Sequence, residues 1–210
     1  MRVALGWKAH SGWAALVALG GDLREPRLVE RSRVELVPAG EPWARAPFHA
    51  ADELGGEAGR KLVERGIASV NRRVPEAMRE AVARAASDGH EVCGCGVLIG
   101  SGLPSWTIDE IRAVHFRMHK AEGELFREAL VAGASACELP LATLPDKSAL
   151  EAAVRELATT RVRLDDALAA LGKQAGAPWG KDQKEAAAAA FVALSAAAST
   201  ATTRAKREKA

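Results

Sequence analysis

The run RVALGWKAHSGWAALVAL, Arg2 to Leu19, holds two short apolar segments, residues 2–7 and 12–19, divided by Lys8, Ala9, His10 and Ser11. Apolar runs of this length split by a polar turn predict two antiparallel strands with a tight connection. Working outward, Leu28 to Val37 alternates charged and aliphatic residues after Gly20, Gly21 and Pro26, the pattern of a half-exposed third strand. Pro38 to about Ala50 reads as loop. Leu62, Val63, Ile67 and Val70 mark one helix, and Pro75 suits the first turn of a second that carries Met78, Val82 and Ala85. Val92 to Ile99 is a continuous apolar run expected of a strand covered on both faces. Thr107 and Glu110 form a capping box, predicting a helix from there to about Gly133, and Cys137 to Leu144 supplies a further strand. Helical patterns then carry Leu150, Val154 and Leu157, and Leu164, Leu168 and Leu171, before a long alanine-rich helix from about residue 183 to beyond 200. A three-stranded meander followed by alternating helices and strands implies an α/β mixed sheet with helices on both sides.

The 210 residues suffice for one compact domain with a sizeable core. We place that domain at residues 1–200, with a helical insert at about 146–172 and a basic tail at 201–210. A net charge of +2 advertises no global basic field, although Arg204 to Lys209 is locally cationic. The three cysteines, two of them in Cys93-Gly-Cys95, match neither a zinc pattern nor a disulfide framework and read as reduced core thiols of a cytoplasmic protein. No run is long and apolar enough for a membrane span, and the N-terminus lacks a signal-peptide pattern. Trp7, Trp13, Trp106 and Trp179 fall near element ends, where packing or an aromatic-lined pocket would use them.

The stretch Val3 to Ala14, the helix segment Glu124 to Leu130 with the strand from Glu138 to Leu144, and the final Asp182-Gln-Lys-Glu185 together resemble bacterial Holliday-junction resolvases, at a distance. The resemblance implies a ribonuclease-H-like fold, with a five-stranded mixed sheet and extra C-terminal helices. It also implies two divalent metals on four carboxylates: one on the first strand, one at the end of the fourth, and two spaced i, i+3 near the start of the last helix. Asp182 and Glu185 match that last pair. Lys8 or Trp7 stands at the first-strand position, and the fourth strand ends in Gly100-Ser101-Gly102 without an acid. Paired carboxylates need cations to neutralise them, and a lysine among them would repel metal ions. Asp182-x-x-Glu185 can equally be a helix-opening box.

With His115 as zero and steps of about 100°, Ile108, Ile111, Met118, Leu125, Phe126 and Ala129 form one apolar stripe of the 108–133 helix. His115, His119 and Glu122 fall inside that stripe, whereas Glu124 and Arg127 fall opposite. A carboxylate turned toward a core requires a partner, which the two histidines or a metal could supply. Lys8, His10, Ser101 and Trp179 should gather at the same sheet end and favour an anion such as phosphate. The expected function is therefore handling of nucleic acid or a phosphate-bearing ligand. One form is a metal-assisted phosphodiester hydrolase in which Glu122, Asp182 and Lys8 are catalytic and His115, His119, Glu122, Asp182 and Glu185 hold Mg or Mn more readily than Zn. The alternative is a catalytically inactive binding or scaffold protein on the same fold. The alanine-rich helix adds a third expectation, a packing face for a homo-oligomer.

Overall fold

The computed structural model describes residues 1–207, with side chains described through residue 200. Strands β1 (Arg2–His10), β2 (Trp13–Gly21) and β3 (Pro26–Glu35) form the meander. β1 runs three residues further than its apolar segment, because Ser11 and Gly12 alone make the turn and Gly12 adopts φ 83°. Helices α1 (Pro47–Ala50) and α2 (Gly56–Ser87) lead to strand β4 (Glu91–Ile99). Helices α3 (Ile108–Arg112) and α4 (His115–Ala136) lead to strand β5 (Leu141–Pro145), and α5 (Ala149–Glu156), α6 (Arg161–Ala175) and α7 (Lys181–Arg207) complete the chain. The sheet order is β3-β2-β1-β4-β5, antiparallel through the meander and parallel for β1–β4 and β4–β5. This is the ribonuclease-H-like α/β arrangement. Among the described residues no helix is long and apolar enough to cross a membrane.

One face of the sheet packs Leu5, Trp7, Leu16, Cys95 and Val97 against Val70, Val74 and Met78 of α2 and Leu125, Phe126 and Leu130 of α4. The other receives α7. Alanines 186–190 are almost wholly buried there, and the Cβ missing from Gly6 and from Gly96 would meet the Ala186 and Ala189 carbonyls at 1.9 and 2.1 Å. Glycine in the strands and alanine in the helix are thus two halves of one close approach. The alanine face expected to serve an oligomer is consumed inside the protomer, between sheet, α5 and α6.

Several boundaries differ from the sequence reading. Pro75 lies inside α2 instead of opening a second helix. Tertiary packing outweighs its lost hydrogen bond there, since Gly133 of α4 seats against Val74 and Met78, and the Cys137 thiol donates to the Pro75 carbonyl. The 38–50 segment is not plain loop, for it holds a 3-10 turn, Pro42–Arg45, and α1. The helix expected from 108 to 133 breaks at Val114, which is extended. Arg112 holds the α3 part down by donating to the carbonyls of Ala51 (2.9 Å), Leu54 and Gly56 (3.2 Å). The last strand starts four residues late because α4 continues to Ala136 and Glu138 turns the chain at φ 54°. Of the proposed basic tail, residues 208–210 lie outside the described residues, and the backbone of 201–207 extends α7.

Candidate functional site

Strand alternation sends Lys8 to the α7 face, below Gly6, and Trp7 to the opposite core. Lys8 therefore occupies the first-strand position at the C-terminal end of the sheet. It is 8% exposed and donates to Glu185, with Asp146 at 3.3 Å and Asp182 at 3.6 Å. Burial alone would lower the pKa of Lys8, but the Glu185 hydrogen bond and the charges of Asp146 and Glu185 outweigh it and hold the ammonium above its ordinary range.

The first turn of α7 presents Asp182 and Glu185 one turn apart, and among the described residues neither accepts a hydrogen bond from a backbone amide. The box-like bond runs instead from the Gly180 amide to Gln183 Oε1 at 2.9 Å, which frees the two acids for Lys8. His10 Nε2 lies 3.0 Å from Asp182 Oδ2, close enough for an ion pair without hydrogen-bond geometry. The His10 ring stacks on Trp13 at 4.2 Å and 8°, and the Arg33 guanidinium lies 4.0 Å from the same indole.

Residues unforeseen from the sequence complete this cluster. Asp146, just beyond β5, accepts from Arg127 at 2.8 Å, and Arg127 lies 3.5 Å from Glu124. Glu124 is 6% exposed, contrary to the wheel that set it among solvent-facing residues. A wheel assumes one covered face, whereas Gly100 at the end of β4 covers a second; a Cβ there would sit 1.9 Å from the Glu124 carboxylate. The acid absent from the fourth strand is thus replaced in space by one from α4. Asp146 gave no signal beyond following an apolar strand.

The helix stripe yields a second, separate group. Glu122 is 4% exposed and turned inward, as its position predicts. Its Oε1 accepts from the amides of Phe48 and His49, both at 3.1 Å, and its Oε2 lies 2.7 Å from His49 Nδ1. Those amides belong to the first turn of α1, where Ala46 offers no capping side chain and Pro47 no N–H. Glu122 therefore caps α1 from across the fold. His115 and His119 are exposed, because the first turns of α4 run past the sheet, and Met118 and Ala121 pack beside Phe48 and Val63 in a side cluster. Their partner is His49, not Lys8 or Asp182. The single pocket expected to contain Glu122, Lys8 and Asp182 together is thus two clusters with no ion pair or hydrogen bond joining them among the described residues. Ser101 is exposed and makes no hydrogen bond among the described residues, and Trp179 packs its ring over Gly172 of α6.

No family model matches the chain, and no curated protein matches it. The chain is structurally similar to RuvC. Against the Thermus thermophilus RuvC structure the identity is 13% and the TM-score 0.44, over 90% of this chain and 92% of that one. Against T. thermophilus RuvC in complex with Holliday junction substrate they are 12% and 0.43, over 91% and 92%. The resemblance is a distant one, of fold.

The two-metal centre that the fold family implies does not fit the Lys8 cluster. An ammonium already stands among Asp146, Asp182 and Glu185, and Arg127 takes up Glu124 and Asp146. Each carboxylate meets a protein cation, so a divalent ion would have to displace one.

Proposed function

We propose that the protein binds nucleic acid at the C-terminal end of its sheet and does not cleave it by a two-metal mechanism. The observation that carries this reading is the Lys8 ammonium held by Asp146, Asp182 and Glu185 where a nuclease of this fold would need an acid. Support for the ligand class comes from the rim. Trp13, Trp43 and Trp106, half-buried in segments that leave β1, β3 and β4 at this end, carry the guanidinium groups of Arg33, Arg65 and Arg117 at 4.0, 4.9 and 4.7 Å. Arginines held over indoles set cationic groups along this end of the sheet, suited to contacts with nucleic-acid phosphates. RuvC in complex with a Holliday junction, a nucleic-acid complex on a similar fold, is consistent with that choice.

Fluorescence anisotropy with labelled single-stranded, duplex and four-way-junction DNA, run beside a cleavage gel with Mg²⁺ or Mn²⁺, tests the proposal. Binding should weaken steeply with salt, weaken further for the double variant Trp13→Ala/Arg33→Ala, and proceed without cleavage. Lack of binding at low salt would refute the ligand class. Metal-dependent cleavage abolished by Asp182→Asn would instead establish the hydrolase.

A further inference from the structure

We propose that His49, His115 and His119 form a zinc site with an exposed open coordination position. The three rings converge from two elements: His49 from α1, and His115 and His119 from successive turns of one face of α4. One ligand nitrogen from each lies within 4.8 Å of the other two. His115 Nε2 and His119 Nε2 are 3.0 Å apart, and the His49 ring lies 5.0 and 4.5 Å, centroid to centroid, from those of His115 and His119.

The i, i+4 spacing is the helical geometry that brings two imidazoles to one ion. Tetrahedral zinc with Zn–N bonds of about 2.0–2.1 Å separates its nitrogens by roughly 3.3 Å, within rotamer reach of the present distances. The 3.0 Å approach of two imidazole nitrogens requires that they not both carry protons, a condition that ligation of a shared metal ion also meets.

His49 supplies the decisive feature. Its Nδ1 faces Glu122 at 2.7 Å, and a proton held there leaves Nε2 as a lone-pair donor. That Nε2 is buried and without a hydrogen-bond partner. A carboxylate that fixes the tautomer of an imidazole and aims its other nitrogen at a metal is the usual support of histidine-ligated zinc. Glu122 is therefore a positioning residue and not a ligand, since both of its oxygens are engaged. Three imidazoles suit zinc better than magnesium, which prefers oxygen donors. Because His115 and His119 are exposed, the fourth position faces solvent and is available to water or an anion, as in zinc sites that do chemistry. This inference is independent of nucleic-acid binding.

The test uses untagged full-length protein freed of metal by a chelator, titrated with Zn²⁺ in competition with a chromophoric chelator. One equivalent should bind. His119→Ala, an exposed change that leaves the fold intact by circular dichroism, should weaken binding at least 100-fold, and Glu122→Gln should weaken it roughly 10- to 100-fold. Loading with Co²⁺ should give the intense visible absorption of a tetrahedral centre, absent in His119→Ala. Failure to bind Zn²⁺ at micromolar concentration, or affinity unchanged by both His115→Ala and His119→Ala, would overturn the assignment.

Discussion

Around Lys8, four carboxylates (Glu124, Asp146, Asp182 and Glu185) share the cations Lys8, Arg127 and Lys181, so that each acid has a protein cation within ion-pair distance. Around His49, a single carboxylate is satisfied by two backbone amides and one ring nitrogen, while His49 Nε2 has no hydrogen-bond partner and the Nε2 atoms of His115 and His119 face each other at 3.0 Å. The first cluster is closed by charge pairing, and the second is left with donor capacity. Similar residue types at the same end of one sheet thus differ in what they can still bind. An acidic cluster answers to metal only if its cations come from outside the chain.

Breaking the closed cluster should have the largest effect. Lys8→Met takes from buried Glu185 its hydrogen-bonded cation and leaves only the exposed Lys181 at 3.7 Å, and should cost about 3–5 kcal/mol of stability in denaturant unfolding; an unchanged midpoint would mean that the cluster is solvated. The pH dependence has a definite sign. Because the folded-state pKa of Lys8 is raised, its contribution is fully present below the ordinary lysine value of 10.5 and is lost as pH climbs beyond it. The gap between wild type and Lys8→Met should therefore narrow above about that pH in paired melts.

Moving the scaffold beneath that cluster comes next. Gly96→Ala forces a Cβ against the Ala189 carbonyl, lifting α7 and with it Glu185 from Lys8. Overpacking of this kind should cost about 1–3 kcal/mol, seen as a lowered Tm. In the second cluster, Glu122→Gln removes a charged acceptor from two amides and His49, and chemical denaturation should register a loss of about 1–3 kcal/mol. His119→Ala should change the stability of metal-free protein by less than about 0.5 kcal/mol, since the residue is exposed. It should nonetheless abolish the rise in Tm that Zn²⁺ gives the wild type.

Much of the fold was legible because strand and helix patterns are local. The tight connection between the first two strands, the buried strand ending at Ile99 and the Thr107–Glu110 box each announce themselves within a few residues, although the first strand runs on to His10. Pro75 misled because α4 packing, distant in sequence, overrides its local preference. In the site, the resemblance to resolvases singled out Lys8, Asp182 and Glu185, and the apolar stripe singled out Glu122. Asp146 and Arg127 were not, because their roles depend on where β5 and α4 end relative to each other. His49 was hidden in a segment with no periodicity, and only the capping of α1 by Glu122 brings it to His115 and His119.

The central claim, that Lys8 keeps metal ions from the carboxylates around it, is tested most directly by calorimetric titration with Mg²⁺, an oxygen-seeking ion that imidazoles do not compete for. Wild-type protein should show no saturable uptake, and Lys8→Asp should acquire it. Saturable Mg²⁺ binding by the wild type that disappears in Asp182→Asn would contradict the account.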